Sequence, residues 1–271
     1  MTYALEIALL QLQSGPDPEA NLGRMRELAI GQADADLIVF PEYSHFLEKD
    51  MRVSGPAAAE PLDGPFVQGV SALSQDCGAT IIAGMLERDG DRVLNTLIVC
   101  SDGRLQATYR KVHLYDSYGG GESTWLAPGD AAQLPVIDVA GAPVGLQTCY
   151  DLRFPESTRR LASAGAEIVV VPADWVPGPL KEYQWRTLLA ARAIENTVYV
   201  AAVDVSPPLG VGHSTVFDPR GIAVAGAGDE AEVVVRARLR SQVVAQARDV
   251  NPSLALGRYR VTTTLSQEGP I

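Results

Sequence analysis

Cysteine is scarce in this chain: Cys77, Cys100 and Cys149 are its only three, widely separated and odd in number. They suit neither a disulfide framework nor a C-x-x-C metal knuckle. Long hydrophobic runs are missing too, and no stretch approaches the ~18–20 apolar residues that cross a bilayer. Basic residues are outnumbered, 22 Lys and Arg against 33 Asp and Glu, for a formal net charge of −11. That balance disfavours nucleic acid and anionic membranes as partners. The N-terminus has no basic region or small-residue cleavage site of the secretory kind. Met1–Leu12, with Tyr3, Leu5, Ile7 and Leu9 alternating with small or polar residues, is expected to be the first strand, and the protein to be cytoplasmic. No Ser/Gly-rich linker or charge block divides the chain, so residues 1–271 are expected to form one domain, with an extended tail over about the last ten residues.

What is present is a soluble-enzyme composition, 46% hydrophobic and 20% charged, in which short β-branched runs alternate with amphipathic stretches. Strands are expected at Ala4–Gln11, Leu37–Phe40, Thr80–Met85, Thr96–Cys100, Thr108–Lys111, Val144–Thr148, Ile168–Pro172, Val198–Ala202, Ser214–Asp218 and Glu232–Ala237. Helices are expected at Glu19–Ala33, Pro65–Asp76, Glu156–Ala164 and Tyr183–Glu195. The alternation predicts an α/β fold with helices packed outside. Two runs, Leu37-Ile-Val-Phe-Pro-Glu42 and Ile168-Val-Val-Val-Pro-Ala173, are alike, each a continuous apolar strand closed by proline. Such strands are expected to be buried on both faces, and their likeness hints at two related halves. Arg192 lies on the face of the last helix with Trp185, Leu188 and Leu189, where an ion pair or a substrate contact would both fit.

Three reactive residues follow expected strands: Glu42, Lys111 and Cys149. The carboxyl ends of strands in an α/β sheet are where ligands bind. Singly, each has a plain structural reading: a helix-initiating carboxylate, a solvated cation and a buried thiol. Together they supply a base, a cation and a nucleophile, the minimum set for acyl transfer. A carboxylate can take the thiol proton during attack on an amide and return it to the departing amine. An ammonium and the backbone N–H after the cysteine can hold the oxyanion, one such donor being worth ~2.7–4 kcal/mol. His45 and His213 have no place in this scheme, but His113, two residues from Lys111, leaves a Cys–His pair as a competitor.

The motifs F-P-E-Y at 40–43, Y-R-K-V-H-L-Y-D at 109–116 and G-L-Q-T-C-Y-D-L-R-F-P-E at 145–156 resemble those of the carbon–nitrogen hydrolase (nitrilase) superfamily, in the same order. The resemblance runs from the first strand to about Tyr259. It implies a four-layer α-β-β-α sandwich that pairs into a homodimer or higher homo-oligomer, and a Glu–Lys–Cys triad at Glu42, Lys111 and Cys149. The stretch E-S-T-W-L-A-P-G-D at 122–130 looks like the segment carrying the family's second glutamate, which maps onto Glu122 and would position substrate and support the lysine. In that picture His113 is structural. No cofactor or metal is implied.

The residues after the cysteine, Y-D-L-R-F-P-E, are similar to the branch holding ω-amidase and deaminated glutathione amidase. The resemblance thus implies hydrolysis of a small amide through a Cys149 thioester, with N-carbamoyl hydrolase, nitrilase or a non-catalytic binding protein as alternatives. Tyr150, Arg153, Asp174 and Trp175 are candidate substrate contacts. Arg153 could hold a substrate carboxylate through a bidentate pair, or be tied to Asp151, Glu156 or another acid. The segment A-D-W-V-P-G-P-L-K-E-Y at 173–183 departs from the short A-F-N segment of ω-amidases. There Trp175 either narrows the pocket or packs in the core, and Asp174 would oppose a substrate carboxylate placed beside it.

Overall fold

Residues 2–133 and 135–263 are described by the computed structural model; most of the expected C-terminal tail, at 264–271, lies outside them. Among the described residues, twelve strands fall in two sheets. The first holds β1 (Ala4–Gln11), β2 (Leu37–Val39), β3 (Thr80–Asp89), β4 (Arg92–Ser101), β5 (Arg104–Arg110) and, late in the chain, β12 (Val233–Arg240). The second holds β6 (Val136–Val139), β7 (Ala142–Leu146), β8 (Ile168–Ala173), β9 (Tyr199–Asp204), β10 (Thr215–Phe217) and β11 (Ala223–Gly226). Their orders are β12-β1-β2-β3-β4-β5 and β11-β10-β9-β8-β7-β6. The helices are α1 (Pro18–Ile30), α2 (Met51–Ala58), α3 (Pro65–Cys77), α4 (Pro155–Ser163), α5 (Lys181–Asn196) and α6 (Ser241–Val250).

Each sheet has a parallel centre with antiparallel flanks. β2 runs parallel to β1 and β3, with Ile7, Leu37 and Thr80 in register, and β8 runs parallel to β7 and β9, with Val144, Ile168 and Tyr199 in register. The two runs that look alike in sequence are therefore the middle strands of these parallel triplets. Successive side chains of a strand face opposite ways, and both faces are covered here. Leu37 and Val39 join Val144, Leu146 and Val170 between the sheets. Ile38 instead packs outward with Met25, Phe66, Val70 and Leu73 of α1 and α3. On the far side, Val169 and Val171 meet Leu161, Trp185 and Leu189 of α4 and α5. The layers run helix, sheet, sheet, helix, as the resemblance implies.

Four elements were not legible in the sequence. α2 contains Gly55 and Pro56, which read as helix breakers, and α6 follows β12 directly at Ser241 with no intervening turn to mark its start. β6 and β11 span four residues each, too few for alternation to stand out. β5 begins and ends earlier than expected, so Lys111 sits just past the strand rather than on it. No helix among the described residues is long and apolar enough to cross a membrane.

Candidate active site

Glu42 leaves β2 through Pro41 and is 1% exposed. A buried carboxylate needs donors, and three converge on it. Lys111 Nζ donates to Oε1 at 2.8 Å, Asn95 Nδ2 to the same oxygen at 2.6 Å, and the Asp174 backbone N–H to Oε2 at 2.7 Å. Asn95 comes from β4 and Asp174 from the end of β8, so both sheets fix one side chain. The approach of β3 to this segment requires Gly84: a Cβ there would lie 2.7 Å from the Tyr43 nitrogen and 2.8 Å from Glu42 Cα.

Lys111, also 1% exposed, lies between two carboxylates, with Glu122 oxygens at 2.9 and 3.0 Å. Glu122 opens a short turn after the glycine run 119–121 and also accepts from Tyr43 Oη at 2.8 Å and the Tyr115 N–H at 2.7 Å. An ammonium has three N–H bonds. Two carboxylates leave it one direction for a further acceptor.

Cys149 begins a short 3-10 helix, Cys149–Arg153, just beyond β7. Its φ of 43° is left-handed, a conformation that costs a non-glycine residue of order 1–3 kcal/mol and clusters at functional sites. Asp151, wholly buried, ties the turn down. It accepts from the Thr148 N–H at 3.0 Å, Tyr109 Oη at 2.7 Å and the His113 N–H at 3.0 Å, and pairs with His113 Nδ1 at 2.7 Å. The Cys149 thiol lies 3.5 Å from the Asp174 carbonyl oxygen.

Burial is the main influence on the ionisation of this cluster. It pushes the Cys149 thiol well up, and the Glu42 carboxylate adds to the push while Lys111 opposes it. Glu42 is raised by burial and, more weakly, by Glu122, against the pull of Lys111. For Lys111, burial works against the charge, but Glu122 and Glu42 outweigh it and hold the ammonium well above the usual lysine range. These shifts keep the thiol protonated and the ammonium charged, with Glu42 beside them. Asp174 is likewise pushed well up, by burial and then by Glu42.

Of the expected substrate contacts, Tyr150, Arg153, Asp174 and Trp175 all line one small cavity with Cys149, joined by Tyr115, Val176 and Lys181. It holds about 10 Å³ and shares Tyr115, Asp174 and Val176 with a broad vestibule of about 760 Å³. Trp175 both packs in the core and lines the cavity. It is 2% exposed and packs on Trp185 with ring centroids 5.2 Å apart, yet it also floors the cavity. Among the described residues Arg153 is not tied to an acid: Asp151 is occupied by Tyr109 and His113, and Arg153 Nη2 donates instead to Gln184 Oε1 at 2.7 Å. Tyr150 Oη lies 2.6 Å from Ser117 Oγ.

The histidines stand elsewhere. His113 stacks on Phe154 at 3.6 Å and lines a separate cavity, while His45 meets Glu60 at 3.1 Å and His213 faces Glu182 at 3.8 Å. Arg192 has a structural role, donating twice to the Leu152 carbonyl and pairing with Glu195 at 3.0 Å. Sequence reasoning passed over Asn95, Tyr43, Asp151 and Lys181 as site residues. Asp151 lay in plain view within C-Y-D, whereas Asn95 sits inside an apolar strand with nothing local to mark it. Among the described residues no cluster of three or more His, Cys, Asp or Glu is arranged to hold a metal.

The carbon-nitrogen hydrolase family model matches residues 6–249. A protein described as a hydrolase from Mycobacterium tuberculosis is 40% identical over 267 residues, covering 90% of this chain and 92% of its own. A deaminated glutathione amidase from Escherichia coli O157:H7 is 36% identical over 227 residues, covering 83% and 86%. Among solved structures, a CN-hydrolase superfamily protein of Xanthomonas campestris, with an arsenic adduct in its active site, superposes with a TM-score of 0.85 at 28% identity, over 96% of this chain and 100% of its own. The chain belongs to the carbon–nitrogen hydrolase family. It is a hydrolase of carbon–nitrogen bonds other than peptide bonds, with amidases among its relatives.

Proposed function

We propose that the protein hydrolyses a short acyl amide that carries a carboxylate, through a Cys149 thioester, releasing ammonia and an acid. The observation that carries this reading is the Glu42 carboxylate, raised in pKa and held by Lys111, Asn95 and the Asp174 N–H beside a buried thiol. A general base works best when its pKa is drawn toward working pH. As Sγ attacks the amide carbon, Glu42 takes the thiol proton. The oxyanion is stabilised by the free N–H direction of Lys111 and by the Tyr150 backbone N–H. Collapse breaks the C–N bond, with Glu42 returning the proton to the leaving nitrogen as ammonia departs. Water then attacks the thioester, its proton passing to Glu42 and on to the departing thiolate. Glu122 holds Lys111 in place throughout. Arg153, without an acid partner among the described residues and lining the same cavity, is the anchor for the substrate carboxylate.

A panel tests the reading: ω-amides of α-keto acids, deaminated glutathione, aliphatic amides, nitriles and N-carbamoyl amino acids, scored by product release. Turnover of amides with release of ammonia is expected. Turnover of nitriles or carbamoyl compounds but not of amides would overturn it.

A further inference from the structure

Lys181 is the first residue of α5, 6% exposed, and its side chain lines the cavity at Cys149. Its placement is electrostatically poor in three ways. It is a nearly buried cation, it stands at the positive end of a helix macrodipole, and Arg153 lines the same small cavity. Burial and Arg153, in that order, pull its pKa below the usual lysine range. Among the described residues no carboxylate lies within 4 Å of either cation. Their partners are neutral. Lys181 Nζ lies 3.1 Å from Tyr115 Oη and sits over the rings of Tyr115, Tyr118 and Trp175, at 4.9, 4.9 and 5.1 Å. The Arg153 guanidinium faces two of the same rings, Trp175 at 4.8 Å and Tyr118 at 5.8 Å, and its Nε is buried without a partner.

Aromatic faces stabilise a cation only modestly, too little to offset the burial of two adjacent positive charges. An anion between them would reverse the balance. We propose that Lys181 is a specificity-determining residue that, together with Arg153, seats the carboxylate of the substrate beside Cys149. The inference rests on the amidase reading above and adds a second cation, Lys181, to the carboxylate seat that the reading gives to Arg153 alone. A cavity of about 10 Å³ has room for roughly one water, so the seat opens by movement of a side chain. Trp175 is packed on Trp185, whereas the lysine stem is flexible. Its ammonium leaves Tyr115 Oη for the incoming carboxylate. Asp174, lining the same cavity, would repel that carboxylate if ionised; burial favours its neutral form.

Two measurements test the proposal. The first compares succinamate with butyramide, equal in chain length but differing in the terminal carboxylate. In Lys181→Met the kcat/KM ratio of succinamate to butyramide should fall by roughly tenfold or more, as expected for loss of a charge-assisted contact, with the loss mainly in KM. Lys181→Arg should restore most of it. The second needs no turnover: the rate of Cys149 alkylation by iodoacetate relative to iodoacetamide should fall in Lys181→Met by a similar factor. If no amide is hydrolysed, the function fails, and the alkylation ratio still decides the anion seat. An unchanged alkylation ratio in Lys181→Met, with the fold intact by circular dichroism, overturns the seat. Equal losses on both substrates overturn it as well. Should Lys181→Met not fold, Lys181→Gln takes its place under the same criteria.

Discussion

The backbone N–H of Asp174 donates to Glu42 Oε2 at 2.7 Å, joining the ends of the two central parallel strands, β2 and β8, across the space between the sheets. The carboxylate is thereby fixed by backbone from one sheet and by side chains from the other. The thiol stands at the same junction, its Sγ 3.5 Å from the carbonyl oxygen of that same Asp174. The proposed base and nucleophile therefore share one structural support.

Replacing Cys149 by alanine removes the proposed nucleophile and little else, since the strained turn is held by Asp151. Turnover should drop below detection while the thermal unfolding midpoint stays close to that of the parent. Ammonia release measured beside a melting curve checks this, and full activity in the variant would refute the mechanism.

Glu42→Gln keeps the shape but must turn its NH2 toward either the Asp174 N–H or the Lys111 and Asn95 donors, and it cannot accept the thiol proton. A loss of ~10²–10⁴ in kcat/KM is expected, the usual worth of a positioned base. A change of less than tenfold would assign the base elsewhere.

The pH profile has a defined sign. Glu42 must be ionised to act as base, and burial raises its pKa. Activity is present above that folded pKa and falls as pH drops through it. The acid limb of kcat/KM should thus lie above the ~4.3 of an ordinary glutamate. A limb at or below that value counts against Glu42 as the titrating group.

Asp151→Ala leaves Tyr109 Oη, the Thr148 N–H and the two His113 donors facing a void. Losing a buried charged acceptor with several partners should cost roughly 3 kcal/mol or more, read from the shift in urea midpoint. Activity should fall as well, because the Cys149 turn loses its tie. Asp151→Asn, which keeps an acceptor oxygen, should be the milder change.

Thiol reactivity should separate the cysteines. Burial raises the pKa of Cys77 and Cys100, with Asp76 adding to the push on Cys77, and neither thiol belongs to the cluster that holds Glu42. Iodoacetamide should label Cys149 several-fold faster than either, as resolved by peptide mass spectrometry, because Glu42 removes the proton during attack. Equal slow labelling of all three would favour a non-catalytic binding protein.

How much of this was legible depended on whether the signal was local. The continuous apolar runs at 37–40 and 168–172 predicted strands buried on both faces, and β2 and β8 are such strands. Motifs single out Glu42, Lys111, Glu122 and Cys149 because each belongs to its own recognisable segment, and the structure brings the four together. Asn95 was not, since its role arises from the antiparallel register that lays β4 against β3. The structural role of Asp151 was missed because its partners, Tyr109 and His113, lie some forty residues upstream. Arg153 was expected either to meet a substrate carboxylate or to be tied to an acid; the structure leaves it with a glutamine and two aromatic faces.

The sequence alone determined the α/β alternation, the family, and the residue types available for the chemistry, because strand patterning and short motifs are properties of neighbouring residues. Only the tertiary structure decided the rest. The ionisation of Glu42 and Cys149 depends on burial, which no local window contains. The two cations beside the thiol, Arg153 and Lys181, come from different helices and meet over Trp175 only when α5 docks on the second sheet.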